Sequence, residues 1–244
     1  MPSETFMRFA VRNWFAWTSE RVSAAQWRDW GGPCRHEDFI APVALPLSLR
    51  RRATPIGQTL LAGALGFGDM VQRARYVLAS RHGEFSRARQ TLMTLAQEEE
   101  LSPAEFSMSV HHGLAGLLSI HARNREGHTA LAAGTESFAC GLLEAAACIA
   151  ENPQTPILLL YADEKLPHEF TGLAGPESAL PCVMVLGLTA PQMDEGDILL
   201  AQQPTSRPEA PTPSAALDFL RFLLSGSRQA VSHGESWDWT WRHA

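Results

Sequence analysis

With 244 residues, 45% of them hydrophobic, and a formal net charge of −6, the chain can build one sizeable core but lacks the basic charge that broad nucleic-acid binding requires. Its first ten residues carry charges and no long apolar run, and nowhere do about 18 uncharged apolar residues follow one another, so neither a signal peptide nor a membrane span is expected and the cytoplasm is the natural compartment. Cys34, Cys140, Cys148 and Cys182 show no C-x-x-C spacing, which argues against a zinc site or a disulfide framework and for reduced, mostly buried thiols.

The opening segment FMRFAVRNWFAWT reads as a strand, and Ser23 to Trp30 as a short amphipathic helix with Trp27 and Trp30 inward. Prolines at 33, 42 and 46 then keep the chain irregular up to the basic cluster Arg50, Arg51, Arg52. Pro55 to Met70 has the length and apolar spacing of a helix, weakened by four glycines. Tyr76 to Ser80 is a short buried strand, followed by an amphipathic helix from Gly83 to Gln97 with Phe85, Ala88, Leu92 and Leu95 on one face. Ser102, three residues before Glu105, signals a helix start, and after the turn SMSVHHG another apolar helix runs to about His121.

Glu126 to Glu151 is the stretch around which the chain is organised. A strand, Thr129 to Ala133, turns at Gly134 into a helix that carries only Glu144 as a charge between Ser137 and Ala150. A helix so uniformly apolar is buried on every side, and its Gly and Ala residues let neighbouring backbones come close. Ile157 to Tyr161 is a continuous apolar run, as expected of a strand covered on both faces. Cys182 to Leu188 and Ile198 to Ala201 are two further strands, joined by TAPQMDEGD and expected to pair as a hairpin. The pattern predicts a layered α/β domain over residues 1–203, a Pro-rich linker over 204–213, and a C-terminal helix with a Trp-rich tail over 214–244. In that tail Trp237, Trp239 and Trp241 alternate at period two, so one strand face carries all three rings, docked on its own domain or, alternatively, in a partner.

The blocks VLASRHGEF, SPAEFSMSVHHGLAGLLSI, NREGHTALAAGTESFACGLLEAA and ILLLYADEKLP, taken in order over Arg50 to Gln203, resemble the N-terminal half of the β-ketoacyl synthases. The resemblance is greatest to the short synthase-like proteins of type II fatty-acid and polyketide systems, aryl polyene pathways included. It implies a thiolase-like half-fold, an α/β/α arrangement around a mixed, mostly parallel sheet. At the start of its central helix an active member carries a cysteine that the helix N-terminus activates to attack an acyl thioester. In this alignment Glu136 occupies that position, and Cys140 lies a full turn deeper. The two histidines that active members draw from the second half of the fold have no counterpart in this sequence, and His111 and His112 precede a helix in a block that supports the core. No G-x-S-x-G elbow provides a serine nucleophile.

The resemblance therefore implies no catalytic residue, no metal and no cofactor. It implies instead a chain-length-factor-like subunit paired with a complete β-ketoacyl synthase. Thr129, Ala130, Leu131, Ala132 and Ala133 would form the dimer interface, and Phe85, Ala88, Arg89, Leu92, Phe106 and Met108 would face the partner and its acyl tunnel. Arg50, Arg51 and Arg52 are the candidate dock for an acidic acyl carrier protein, with a solvated basic loop as the alternative. From other classes, the competing readings are a malonyl decarboxylase or acyl transferase using Glu136, and a homodimeric scaffold.

Overall fold

In the computed structural model, which describes residues 6–32, 39–97, 100–170, 181–193, 196–205 and 212–244, one eight-stranded sheet carries the whole architecture. Its strands are β1 (Met7–Thr18), β2 (Arg75–Ala79), β3 (His128–Leu131), β4 (Ile157–Asp163), β5 (Cys182–Thr189), β6 (Asp197–Pro204), β7 (Gln229–His233) and β8 (Trp237–His243), ordered β3-β2-β4-β5-β1-β6-β8-β7. The helices are α1 (Ala24–Gly31), α2 (Leu47–Arg50), α3 (Pro55–Leu65), α4 (Met70–Arg73), α5 (Phe85–Ala96), α6 (Pro103–Met108), α7 (Gly113–Ala122), α8 (Ser137–Glu151) and α9 (Ala215–Ser225). Among the described residues no helix is long and apolar enough to cross a membrane.

The layered α/β arrangement is as expected, but the balance of strand directions is not. Only β2 with β3 and β2 with β4 pair in parallel, while the other five pairings are antiparallel. Nor do β5 and β6 form the expected hairpin. The N-terminal strand β1 lies between them, pairing Ala10 to Thr18 with β5 and Met7 to Ala10 with β6. Twelve residues with a register shift between Val11 and Asn13 allow this. The shift changes the alternation, so Phe9, Val11, Trp14 and Ala16 all reach the same core layer.

Two apolar layers cover the sheet. On one face α8 and α9 pack over Val77, Ala79, Leu159, Met184, Leu186, Trp239 and Trp241. On the other, α3 and α7 pack over Tyr76, Leu78, Leu158, Leu160 and Val185. The unbroken apolar run of β4 is thus buried on both sides. The predicted helix from Pro55 to Met70 divides into α3 and α4 because the chain turns at Gly66 to Asp69, with Gly68 at φ +58. Ser102 occupies the cap position of α6 without making a side-chain cap bond.

Most of the linker, residues 206–211, lies outside the described residues, as do Pro33 and Cys34. Beyond the linker, α9 and β8 enter the main core. Phe219 packs 5.6 Å from Phe138 of α8 and 5.5 Å from Trp241, centroid to centroid. The tail therefore docks within its own chain, with Trp239 and Trp241 buried and Trp237 at the rim.

A buried carboxylate reinforces the backbone pairing of β1 with β6. Asp197, fully buried, accepts from Arg8 Nε at 2.8 Å, Gln192 N at 2.9 Å and Met193 N at 2.8 Å. Replacing Asp197 with Ala leaves these donors without their acceptor and is expected to cost about 3 kcal/mol, measurable as a lower urea midpoint.

Candidate functional site

The turn between β3 and α8 is built by Gly134 and Ser137. Gly134 adopts φ +58, a region glycine enters without steric penalty. Ser137 Oγ donates to Gly134 O at 2.7 Å and accepts from Ala133 N at 2.9 Å, closing the turn. Glu136 then takes the N-cap position of α8 with φ −92 and ψ 6.

The Glu136 side chain does not cap its own helix. Its Oε1 instead accepts from the backbone N–H groups of Ser236 at 2.6 Å and Trp237 at 3.1 Å, in the turn joining β7 to β8. The residue is 7% exposed. A Cβ at Gly234 would stand 2.5 Å from the same oxygen and 2.6 Å from Trp237 O, so only glycine lets the hairpin come this close. Amides about one hundred residues later in the chain, rather than the free N–H groups of its own helix, satisfy this carboxylate.

The thiols near the turn are held in their protonated form. Burial, reinforced by the Glu136 carboxylate, raises the Cys140 thiol above the ordinary range and keeps it protonated. Burial, with Asp163 adding to it, pushes the Cys182 thiol up to about 12 and raises the Tyr161 hydroxyl well above its usual value. Asp163 itself accepts from Arg81 N at 2.7 Å, Ser80 Oγ at 3.1 Å and Tyr161 Oη at 2.7 Å. Arg81, Thr135, Tyr161, Asp163, Cys182 and Ser214 line a cavity of about 50 Å³ beside the turn. That volume accommodates a few water-sized groups.

The residues expected to face a partner form a flank along α5, α6, α7 and β3, each packed on the next. β3 is an edge strand, paired only through β2, and Ala132 and Ala133 continue from it exposed. The expected strand to Ala133 ends at Leu131, where the Gly134 turn begins to redirect the backbone. Neither α5 nor α6 contains a buried residue. Leu92 is 66% exposed and Phe106 58% exposed. Phe85 packs edge-on against Phe170 at 5.0 Å, Arg89 pairs with Glu169 at 2.9 Å, Ala88 is half-buried, and Met108 lies against Gly113. Arg50, Arg51 and Arg52, at the end of α2 and in the turn after it, are exposed. His111 Nε2 lies 2.9 Å from Ser80 O, a bond between α7's leading turn and the end of β2.

Sequence reasoning found the position of Glu136 but not the residues that hold it, Gly234, Ser236 and Trp237. The available signal was the SHGES turn between two strand-like runs, which reads as a hairpin only if Gln229 to His233 is recognised as a strand.

The family model described as β-ketoacyl synthase, N-terminal domain, matches residues 17–242. No curated protein matches. Among solved structures, the chain superposes on one from the complex of ketosynthase ApeO with its chain length factor ApeC from Xenorhabdus doucetiae, with a TM-score of 0.81 at 24% identity, covering 96% of this chain and 99% of that one. The ishigamide ketosynthase/chain length factor gives a TM-score of 0.59 at 12% identity, covering 80% of this chain and 67% of that one. A chain of AntDE:AntF, a type II polyketide acyl-carrier protein in complex with its ketosynthase, gives 0.62 at 12% identity, with 82% and 70% covered. At these identities the likeness is one of fold.

Glu136→Ala removes the acceptor shared by the Ser236 and Trp237 amides and is expected to destabilise the chain by about 2 kcal/mol, read as a lower Tm. Gly234→Ala should lower Tm comparably through overlap with the same oxygen.

Proposed function

The chain belongs to the β-ketoacyl synthase N-terminal domain family, and from that premise we propose that it is a non-catalytic, chain-length-factor-like subunit of a β-ketoacyl-ACP synthase in polyketide or fatty-acid-type synthesis, aryl polyene assembly included. The observation that carries this reading is the state of Glu136. Where the family places an activated thiol, this chain has a carboxylate whose oxygen is already committed to the backbone of Ser236 and Trp237. A carboxylate cannot form the acyl thioester on which condensation proceeds. Acting as a base on a bound malonyl group would draw charge away from the oxygen that two hairpin amides share.

The site's partner is a complete synthase. A half-buried edge strand, β3, invites continuation of the sheet, and isolated edges of this kind are protected by pairing. Beside it, Leu92, Leu95 and Phe106 leave apolar area in water that an interface would remove. In the assembled pair, Phe85, Ala88, Leu92, Phe106 and Met108 border the growing acyl chain and Arg89 stands at the margin. The synthase supplies the nucleophile and the decarboxylating histidines, and this chain supplies bulk that limits how far the product extends. Arg50, Arg51 and Arg52 offer an acidic carrier protein a basic approach, effective mainly in steering its encounter.

Purified alone and incubated with malonyl-carrier protein, the chain should release no acetyl-carrier product. Turnover that disappears in Glu136→Ala would establish the enzymatic alternative. Co-expressed with the complete synthase that co-purifies from its host, it should elute as a one-to-one heterodimer on size-exclusion chromatography, and a homodimer alone would contradict the reading. In the reconstituted pair, Phe106→Ala and Leu92→Ala should shift products toward longer chains by mass spectrometry; unchanged lengths from both would exclude these positions as the measure of chain length.

A further inference from the structure

At the N-terminal end of the edge strand three basic side chains meet. The ring of His112, from the cap of α7, stacks on that of His128, the first residue of β3, with centroids 5.8 Å apart and planes 28° from parallel. From the α8 face of the sheet, Arg75 of β2 reaches the same strand, its Nη2 donating to Thr129 Oγ1 at 3.2 Å. The Arg75 Nε is buried and has no hydrogen-bond partner. Among the described residues no carboxylate pairs with any of the three. Basic groups therefore flank one end of an edge strand from both sides of the sheet, and among the described residues no carboxylate is paired with them.

We propose that this basic cluster is a recognition point for a carboxylate of the partner synthase, placed where the partner's strand runs past His128. The inference rests on the subunit reading above and specifies its partner chemistry. A buried arginine donor and a stacked histidine pair acquire the missing acceptor when an acidic side chain arrives, and charge complementarity fixes the register of the added strand. A second copy of this chain fits less well, because its own edge strand, His128 to Leu131, carries no carboxylate and Glu136 beyond it is already engaged by the hairpin.

The arrangement also fixes a pH response. In the free chain the imidazole of His128 is held below its ordinary pKa, by burial first and then by the neighbouring His112 and Arg75. The charged and titratable groups around it are His112 on the α7 side and Arg75 on β2, with Arg75 in turn facing Cys148 beside Glu144 and Glu151 of α8. A partner carboxylate raises the imidazole pKa, so the complex binds more protons than the separated chains. Association therefore tightens as pH falls from 8 to 6, a window in which an ordinary carboxylate stays ionised.

The test measures Kd of the synthase pair by surface plasmon resonance for the wild-type chain, His112→Glu, His112→Lys and His128→Ala, at pH 8 and pH 6. His112 is exposed and makes no side-chain cap bond, and a carboxylate at a helix start favours the helix, so His112→Glu should fold normally, as circular dichroism would verify. Binding is expected to weaken about tenfold or more in His112→Glu, to stay within about twofold in His112→Lys, and to tighten severalfold from pH 8 to pH 6 in the wild type, with His128→Ala losing most of that gain. Unchanged affinity in His112→Glu, or weaker binding at pH 6, overturns the proposal while leaving the heterodimer intact. Absence of any complex at either pH overturns the subunit reading itself.

Discussion

The structure depends on a constraint imposed by β1. A strand in the interior of a sheet bonds to neighbours on both sides, and β1 joins β6 through Met7 to Ala10 on one edge and β5 through Ala10 to Thr18 on the other. It thereby joins a half that carries the parallel pairs, β3-β2-β4, to an antiparallel half that ends in the β7–β8 hairpin. The buried Asp197 holds the junction by binding Arg8 of β1 and the turn that precedes β6. Because β6 is fixed in this way, β8 has a strand to pair with, and the hairpin arrives over the N-terminus of α8.

That arrival decides the chemistry of the helix start. The helix N-terminus favours negative charge whatever bears it. A thiolate and a carboxylate are both electrostatically suited to that place. Here the carboxylate bonds outward to Ser236 and Trp237, and the thiol one turn deeper is kept protonated by burial and by that same carboxylate. The turn between β3 and α8 thus serves as a clamp between two parts of the chain.

Local chemistry was legible in the sequence, and long-range geometry was not. The period-two Trp residues predicted a strand face, and Trp239 and Trp241 are buried on it. The uninterrupted run ILLLY predicted a strand covered on both sides, and both core layers meet it. The spacing of β5 and β6 looked like a hairpin because nothing local reports that a strand from the beginning of the chain lies between them. For α5, the apolar periodicity of Phe85, Ala88, Leu92 and Leu95 was readable, yet periodicity states that a face exists and not which molecule covers it. Pairing Glu136 with the hairpin turn was unreadable for the same reason, since the acceptor and its donors are separated by most of the C-terminal half.

The position of β1 also bears on how the chain reaches this structure. Its pairing partners lie more than 160 residues later, with Ala10 opposite both Thr189 and Asp197. A strand synthesised long before its partners is therefore among the last to be secured, because closing so long a loop must precede any gain from the contacts it brings. Until β5 and β6 exist, Phe9, Trp14 and Phe15 have no sheet to enter, and a newly made chain carries an adhesive apolar strand through most of its synthesis. A sheet so thoroughly satisfied at its centre when complete is, for that reason, exposed to mispairing and to chaperone engagement while it is being made.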